Sequence, residues 1–206
     1  TQAVLENCKQ LFNSQNPRLI IVQGDTTTAM AASLAAFYCQ IPVAHVEAGL
    51  RTGDLYSPFP EELNRQFISL IAKYNFAPTN IAVDNLKQAG INHKTIYQVG
   101  NTVVDVLNLV LNKIETGELV VSAQIQELVA RIKGSWIRPA HYERTRIILL
   151  TMHRRESFGT KMVQALSAIR DFANEHPEVC FIFPVHPNPQ VKQAVELANL
   201  KTCSNI

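Results

Sequence analysis

The chain has 206 residues, a length that leaves one or two domains open. Its net charge is +2 with 17% charged residues, and the basic residues are scattered, so neither a nucleic-acid-binding arm nor a basic membrane patch is indicated. A hydrophobic content of 47% supports a globular core, and no apolar run approaches the ~20 residues that would span a bilayer. The four cysteines, Cys8, Cys39, Cys180 and Cys203, are far apart and form no CxxC pair, which argues against zinc and against a disulfide framework. A reducing cytoplasm fits them. Residues 1–12 lack the basic start and apolar core of a signal peptide.

In chain order, residues 1–14 read as a helix whose apolar positions, Val4, Leu5, Cys8, Leu11 and Phe12, form a core-facing stripe. Leu19, Ile20, Ile21 and Val22 are a short apolar run that suits a strand buried on both faces. It stops at Gly24, and an Ala-rich helical pattern follows from about Thr27 to Tyr38, so residues 24–28 are the strand-to-helix loop. Asp25 then sits at the ligand-facing edge of an open sheet. Asp25 and the threonines beside it equally suit a helix N-cap.

Residues 42–46 form a second strand, and side-chain alternation predicts His45 and Glu47 on one side with Val46 opposite. Glu47 ends that strand as a candidate general base, with Ala48 and Gly49 leaving room beside it. A zinc reading of His45 and Glu47 lacks a third ligand nearby. Residues 57–65 turn into a helix, with Pro60 suited to its first position and Glu61 and Glu62 to the positive end of its dipole. Asn64 and Arg65 lie one turn further on. Consecutive residues on a helix point about 100° apart, so Glu61 and Glu62 are not expected to face one ligand together. The helix continues over residues 66–73, and 74–77 is a strand. Thr79 caps a helix that runs to Ala89 and stops at Gly90, and 95–99 is another strand. This alternation predicts a parallel sheet with helices on both faces.

Gly100, Asn101 and Thr102 are the expected hinge, followed by an apolar helix over 103–114 and a charged crossing that contains Gly117, Gly134 and Pro139. A second unit starts with a strand over 146–151, again apolar enough to be buried. A loop over 153–159, a helix over 161–175, a strand over 179–185 and a helix over 190–198 follow. His153, Arg154, Arg155 and Glu156 come at the ligand-facing end of the first of these strands. The adjacent arginines suit a diphosphate, held by charge-assisted bidentate hydrogen bonds, although a solvated basic loop has the same composition. His186 occupies the equivalent place after the next strand, as a nucleotide or regulatory-ligand contact or as a structural histidine.

The blocks GDTTT, HVEAGLRTGDLYSPFPEELNR, VGNTVVD and HRRESFG resemble the non-hydrolysing UDP-N-acetylglucosamine 2-epimerases, in order and over about residues 19–195. The resemblance implies two Rossmann-like α/β domains of glycosyltransferase-B type facing a cleft. Residues 1–100 would be the C-terminal part of the first domain, 101–145 the connecting region, and 146–206 the N-terminal part of the second. It implies interconversion of UDP-N-acetylglucosamine and UDP-N-acetylmannosamine by elimination and re-addition of UDP through 2-acetamidoglucal. By motif match Asp25, Glu47, Glu61 and His153 are the catalytic set, without assignment of base and acid. Arg51, Arg65, Arg154, Arg155, Glu156 and His186 are the candidates for substrate and phosphate contacts. No metal or other cofactor is implied. The implied partners are UDP-N-acetylglucosamine and UDP, with a homodimer in the complete protein and neither nucleic acid nor membrane.

Relatives carry an upstream loop with Arg and Lys, and a downstream Ser-Gly-Gly loop with a nearby Glu, which this chain does not contain. The expectation is a middle piece of both domains, inactive by itself, with apolar sheet edges exposed. Two other functional readings stay open on the residues: a hydrolysing relative that releases N-acetylmannosamine and UDP, and a non-catalytic nucleotide-sugar-binding remnant. The HVEAGLR and HRRES blocks favour the non-hydrolysing reading over the hydrolysing one.

Overall fold

The computed structural model describes residues 1–135 and 146–206. Pro139, and with it part of the expected crossing over 101–145, lies outside the described residues. The chain divides into two units, Thr1–Lys113 and Ile114–Ile206.

The first unit holds a four-stranded parallel sheet in the order β1 (Ile20–Gln23), β2 (Val43–Val46), β3 (Tyr74–Ala77), β4 (Ile96–Gln98). Its helices are α1 (Gln2–Gln15), α2 (Thr27–Tyr38), α3 (Glu61–Ile71) and α4 (Asn80–Gln88), with α5 (Thr102–Glu115) after β4. Caps set several of these bounds. The Thr26 hydroxyl accepts from the Ala29 amide at 3.1 Å and starts α2, and the Thr79 hydroxyl accepts from the Ala82 amide at 3.2 Å and starts α4. At the other end of α1, Asn16 turns left-handed and returns its amide to the Phe12 carbonyl at 2.8 Å. Pro60, expected at the first helical position, instead precedes it, and Glu61 is the first residue of α3.

The strand register explains where the core lies. Ile20 pairs with Val43 and His45 with Asn75, so Ile20, Val22, Val43, Ala77 and Ile96 share one face. Phe12, Ala29, Ala35, Ala36 and Ile68 from α1, α2 and α3 pack on that face at β1 and β2, and Ala82 and Leu86 of α4 pack on it at β3 and β4. The expectation of helices on both faces is therefore corrected: α1 to α4 all pack through one. The opposite face exposes Ile21 at 66% and Tyr97 at 42%, with Tyr97 touching Tyr74 and Phe76. The expectation that β1 is buried on both faces fails for the same reason. β1 is an edge strand, and only Val22 in it is buried.

In the second unit β5 (Arg146–Leu149) pairs in parallel with β6 (Val179–Ile182). The helices are α6 (Ala123–Ser135), α7 (Thr160–Glu175) and α8 (Pro189–Leu197). Asn188 caps α8 ahead of Pro189, as fits a residue whose missing amide costs nothing there. Met162, Leu166, Val191, Ala194 and Leu200 form one core between α7, α8 and the turn after it. Asn205 is buried and donates its amide to the carbonyls of Ala173 at 2.7 Å, Val179 at 2.9 Å and His176 at 3.2 Å. Its own carbonyl accepts from the Phe181 amide at 2.8 Å, which extends pairing beyond β6. β5 was expected to be buried, yet Leu149 is 67% exposed and all four residues of β5 are open. With two strands in the sheet, β5 has one neighbour and one free edge.

Candidate active site

The ends of β1 and β2 are tied together before any functional side chain is reached. The Gly24 amide donates to the Val46 carbonyl at 3.0 Å, so the two loops leave the sheet side by side. Gly24 has φ +71°, which turns the chain from β1 toward the Thr26 cap. Asp25 lies in that corner, and three side chains from other elements hold it. His45 donates from Nε2 to the Gly24 carbonyl at 2.8 Å, Asn64 donates to the Asp25 carbonyl at 2.9 Å, and Arg65 Nη2 pairs with the Asp25 carboxylate. Thr26, not Asp25, is the N-cap of α2, which leaves the Asp25 carboxylate to Arg65.

Glu47 departs from the expected alternation. β2 ends at Val46, and Glu47 adopts φ +67°, so it does not continue on the side of His45 as an extended residue would. The turn carries its Oε2 to within 3.8 Å of where a Cβ on Gly24 would stand, beside the Asp25 corner. Gly49 follows at φ +91°, packed so closely on α4 that an added Cβ would lie 2.3 Å from the Ala82 carbonyl oxygen. Asn85 donates to the Gly49 carbonyl at 3.0 Å, which locks this turn to α4.

Glu61 is half-buried at the start of α3, four residues before Arg65 and so on the same helical face. Among the described residues the carboxylates of Glu47 and Glu61 have no hydrogen-bonding or ion-pair partner. Glu62 differs entirely. It is fully buried, and its Oε2 accepts from the Thr52 amide at 3.1 Å and lies 3.5 Å from Arg65 Nη1. Its Oε1 accepts from Gln66 Nε2 at 2.8 Å. The sequence led to the expectation that Glu61 and Glu62 do not face one ligand together, without giving Glu62 a role. Helical spacing does not distinguish them, since Asn64, Arg65 and Ile68 follow Glu61 at the same intervals as Arg65, Gln66 and Ser69 follow Glu62.

Two cationic or titratable groups are perturbed here. Burial pushes the His45 imidazole down from its ordinary range, against the raising effect of its bond to the Gly24 carbonyl. His45 is therefore neutral with its proton on Nε2, and Nδ1 has no partner among the described residues. Burial also pushes the Arg51 guanidinium down, and the Glu62 charge opposes that. Arg51 donates to the Leu50 carbonyl at 2.7 Å and to Ser69 Oγ at 3.3 Å.

In the second unit, His153, Arg154, Arg155 and Glu156 follow β5 and are all exposed. Arg154 Nη1 lies 3.8 Å from Glu156 Oε1, and a 3-10 turn spans Arg155–Ser157. His186, after β6, stacks on His153 with ring centroids 5.3 Å apart and planes 17° from parallel. Its Nδ1 accepts from the Asn188 amide at 3.2 Å. The parallel pairing of β5 and β6 makes these two distant histidines neighbours. Among the described residues no three His, Cys, Asp or Glu side chains gather as a metal-ligand set, and no helix is long and apolar enough to cross a membrane.

The family model described as UDP-N-acetylglucosamine 2-epimerase matches residues 1–206. The chain belongs to that family. A UDP-N-acetylglucosamine 2-epimerase from Yersinia pestis is 43% identical over 207 residues, covering 100% of this chain and 52% of that protein. The crystal structure of UDP-GlcNAc 2-epimerase from Neisseria meningitidis bound to UDP-GlcNAc superposes with a TM-score of 0.81 at 35% identity, covering 98% of this chain and 51% of that one. The epimerase from Methanocaldococcus jannaschii in complex with UDP-GlcNAc and UDP gives 0.67 at 34% identity, covering 97% and 50%. These likenesses set the two parallel α/β units among epimerases of glycosyltransferase-B type. The chain spans about half the length of the curated relatives it matches.

Proposed function

We propose that this chain carries the carboxylate centre of a non-hydrolysing UDP-N-acetylglucosamine 2-epimerase and acts only within the complete protein. Residues 1–100 are assigned to its first Rossmann-like domain, 101–145 to the connection and 146–206 to its second. One observation carries the reading: Asp25 and Glu47 follow two strand ends that are hydrogen-bonded to each other, with Glu47 Oε2 beside Gly24, and on α3 Glu61 lies one turn before the arginine that holds Asp25.

The reaction needs a base to take the C2 proton of the sugar. The C–H electron pair becomes the C1–C2 double bond, and the C1–O bond breaks with its electrons leaving on UDP. UDP then re-adds at C1 while an acid returns a proton to the opposite face of C2. Two faces require two proton-transfer groups, and the unpartnered carboxylates of Glu47 and Glu61 suit that work. Asp25, paired with Arg65, is assigned as the third carboxylate of the catalytic set. Arg51, Arg65, Arg154 and Arg155 are assigned to stabilising the departing diphosphate, the term that dominates when charge leaves on phosphate. His153 completes the catalytic set, with Glu156 and His186 as further substrate contacts. The substrate is UDP-N-acetylglucosamine, and the complete protein is proposed to be a homodimer.

The test is incubation of the complete protein with UDP-N-acetylglucosamine in deuterated water. Deuterium at C2 of both epimers is expected. Release of free N-acetylmannosamine would turn the assignment to a hydrolysing enzyme, and tight UDP binding without exchange would turn it to a binding module.

A further inference from the structure

Arg65 bridges two carboxylates from different elements: Nη2 meets Asp25 after β1, and Nη1 meets Glu62 within α3. Its side chain is 11% exposed, so those contacts lie largely out of water, where they fix the plane of the guanidinium. Glu62 is the buried end of this bridge. A carboxylate with no exposure persists only when its lone pairs are occupied, and here Thr52, Gln66 and Arg65 occupy them. The Thr52 contact reaches a second element. Thr52 opens an exposed loop in which its hydroxyl donates to the Ser57 carbonyl at 2.5 Å and Asp54 accepts from the Tyr56 amide at 2.9 Å. That loop leads to Pro60 and Glu61 at the start of α3.

We propose that Glu62 is a positioning residue: its buried carboxylate orients the Arg65 guanidinium toward Asp25 and pins, through the Thr52 amide, the loop that delivers Glu61. Glu62 touches no substrate. It acts through Arg65 and Thr52, and the inference rests on the reading of Asp25 and Glu61 as catalytic groups. A carboxylate kept only for packing would affect folding and leave the chemical step alone.

Three measurements on the complete protein test this. In Glu62→Gln, the new side chain keeps its shape, and a flipped Gln66 amide satisfies its nitrogen, so the melting temperature is expected to hold within a few degrees. kcat is expected to fall about 10- to 100-fold with KM within about threefold, taking as a guide the loss of an outer-shell partner at a metal site. In Arg65→Gln, adding Glu62→Gln is expected to lower kcat by much less than it does in the unmutated protein, because the Arg65 route is already lost and only the Thr52 route remains. In the unmutated protein, hydrogen exchange resolved at the Thr52 amide is expected to show protection despite the exposed loop, kept in Glu62→Gln, whose amide oxygen still faces Thr52, and lost in Glu62→Met. Unchanged kcat in a folded Glu62→Gln, multiplicative losses in the double variant, or a Thr52 amide exchanging at the rate of its exposed neighbours would each overturn the proposal. Absence of C2 exchange by the unmutated protein would defeat the epimerase reading instead, and the exchange measurement at Thr52 would still judge the role of Glu62.

Discussion

Gly49→Ala examines how tightly the Glu47 turn is clamped on α4. A Cβ at this position would lie 2.3 Å from the Ala82 carbonyl oxygen, 2.8 Å from its carbonyl carbon and 3.0 Å from Leu86 Cγ. The first two are backbone atoms of a capped helix and cannot swing aside. A left-handed backbone costs an L-residue about 1–2 kcal/mol, and forcing extra volume into a packed contact costs about 1–3 kcal/mol, so a loss of about 2–5 kcal/mol is expected. For a unit of this size that lowers the melting temperature by about 10 °C or more. Gly53→Ala is the internal control. Gly53 has φ +82° with nothing within 4 Å of its added Cβ, so only the backbone component applies. Urea unfolding of both variants, followed by circular dichroism, isolates the close approach as their difference. A Gly49→Ala loss no larger than that of Gly53→Ala would show that α4 yields, and the account of the turn would be wrong.

Other outcomes follow from the same geometry. In the complete protein, Asp25→Asn or Glu47→Gln is expected to abolish turnover with little change in unfolding midpoint; near-native rates in either would remove that residue from the catalytic set. Asn205→Ala strips three carbonyls of a buried donor and is expected to cost about 1–3 kcal/mol in denaturant unfolding. Thr26→Ala loses the N-cap of α2 and is expected to cost about 1 kcal/mol in the same assay. His45 gives a pH signature. Its folded-state pKa lies below the ordinary 6.5, so below about pH 6.5 the unfolded chain takes up a proton that the buried ring refuses. Stability contributed by the neutral ring is whole above that pH and falls as pH drops toward the folded value, at up to about 1.4 kcal/mol per pH unit. His45→Asn should flatten the difference in unfolding free energy between pH 7 and pH 5.5; an unchanged slope would refute the assignment.

Much of this architecture was legible before any coordinates. The bounds of α2 and β3 are as the sequence suggested, because a capping threonine and a Pro or Gly breaker mark ends chemically. Asn64 and Arg65 lie one turn past Glu61 as expected, but their bonds to Asp25 depend on how α3 docks beside β1, which the sequence does not show. Ile21 and β5 are exposed where their apolar runs alone suggested burial, which fits the expectation of exposed apolar sheet edges, because apolar content does not say whether a strand lies at an edge. Glu47 escaped the alternation rule because that rule assumes extended backbone, and a left-handed residue ends it. The stacking of His153 on His186 depends on the register between β5 and β6, which no local pattern encodes. The separate fates of Glu61 and Glu62 follow from helix geometry, but which of the two turns inward depends on where Thr52 returns.

The left-handed backbone at Glu47 has an evolutionary consequence. Glycine or asparagine would occupy that conformation at lower energy, by about 1 kcal/mol, so selection for folding alone would drift away from glutamate there. A library of this chain screened only for heat resistance should therefore enrich Glu47→Gly. Robust variants chosen that way would arrive with the strand-end acid already discarded.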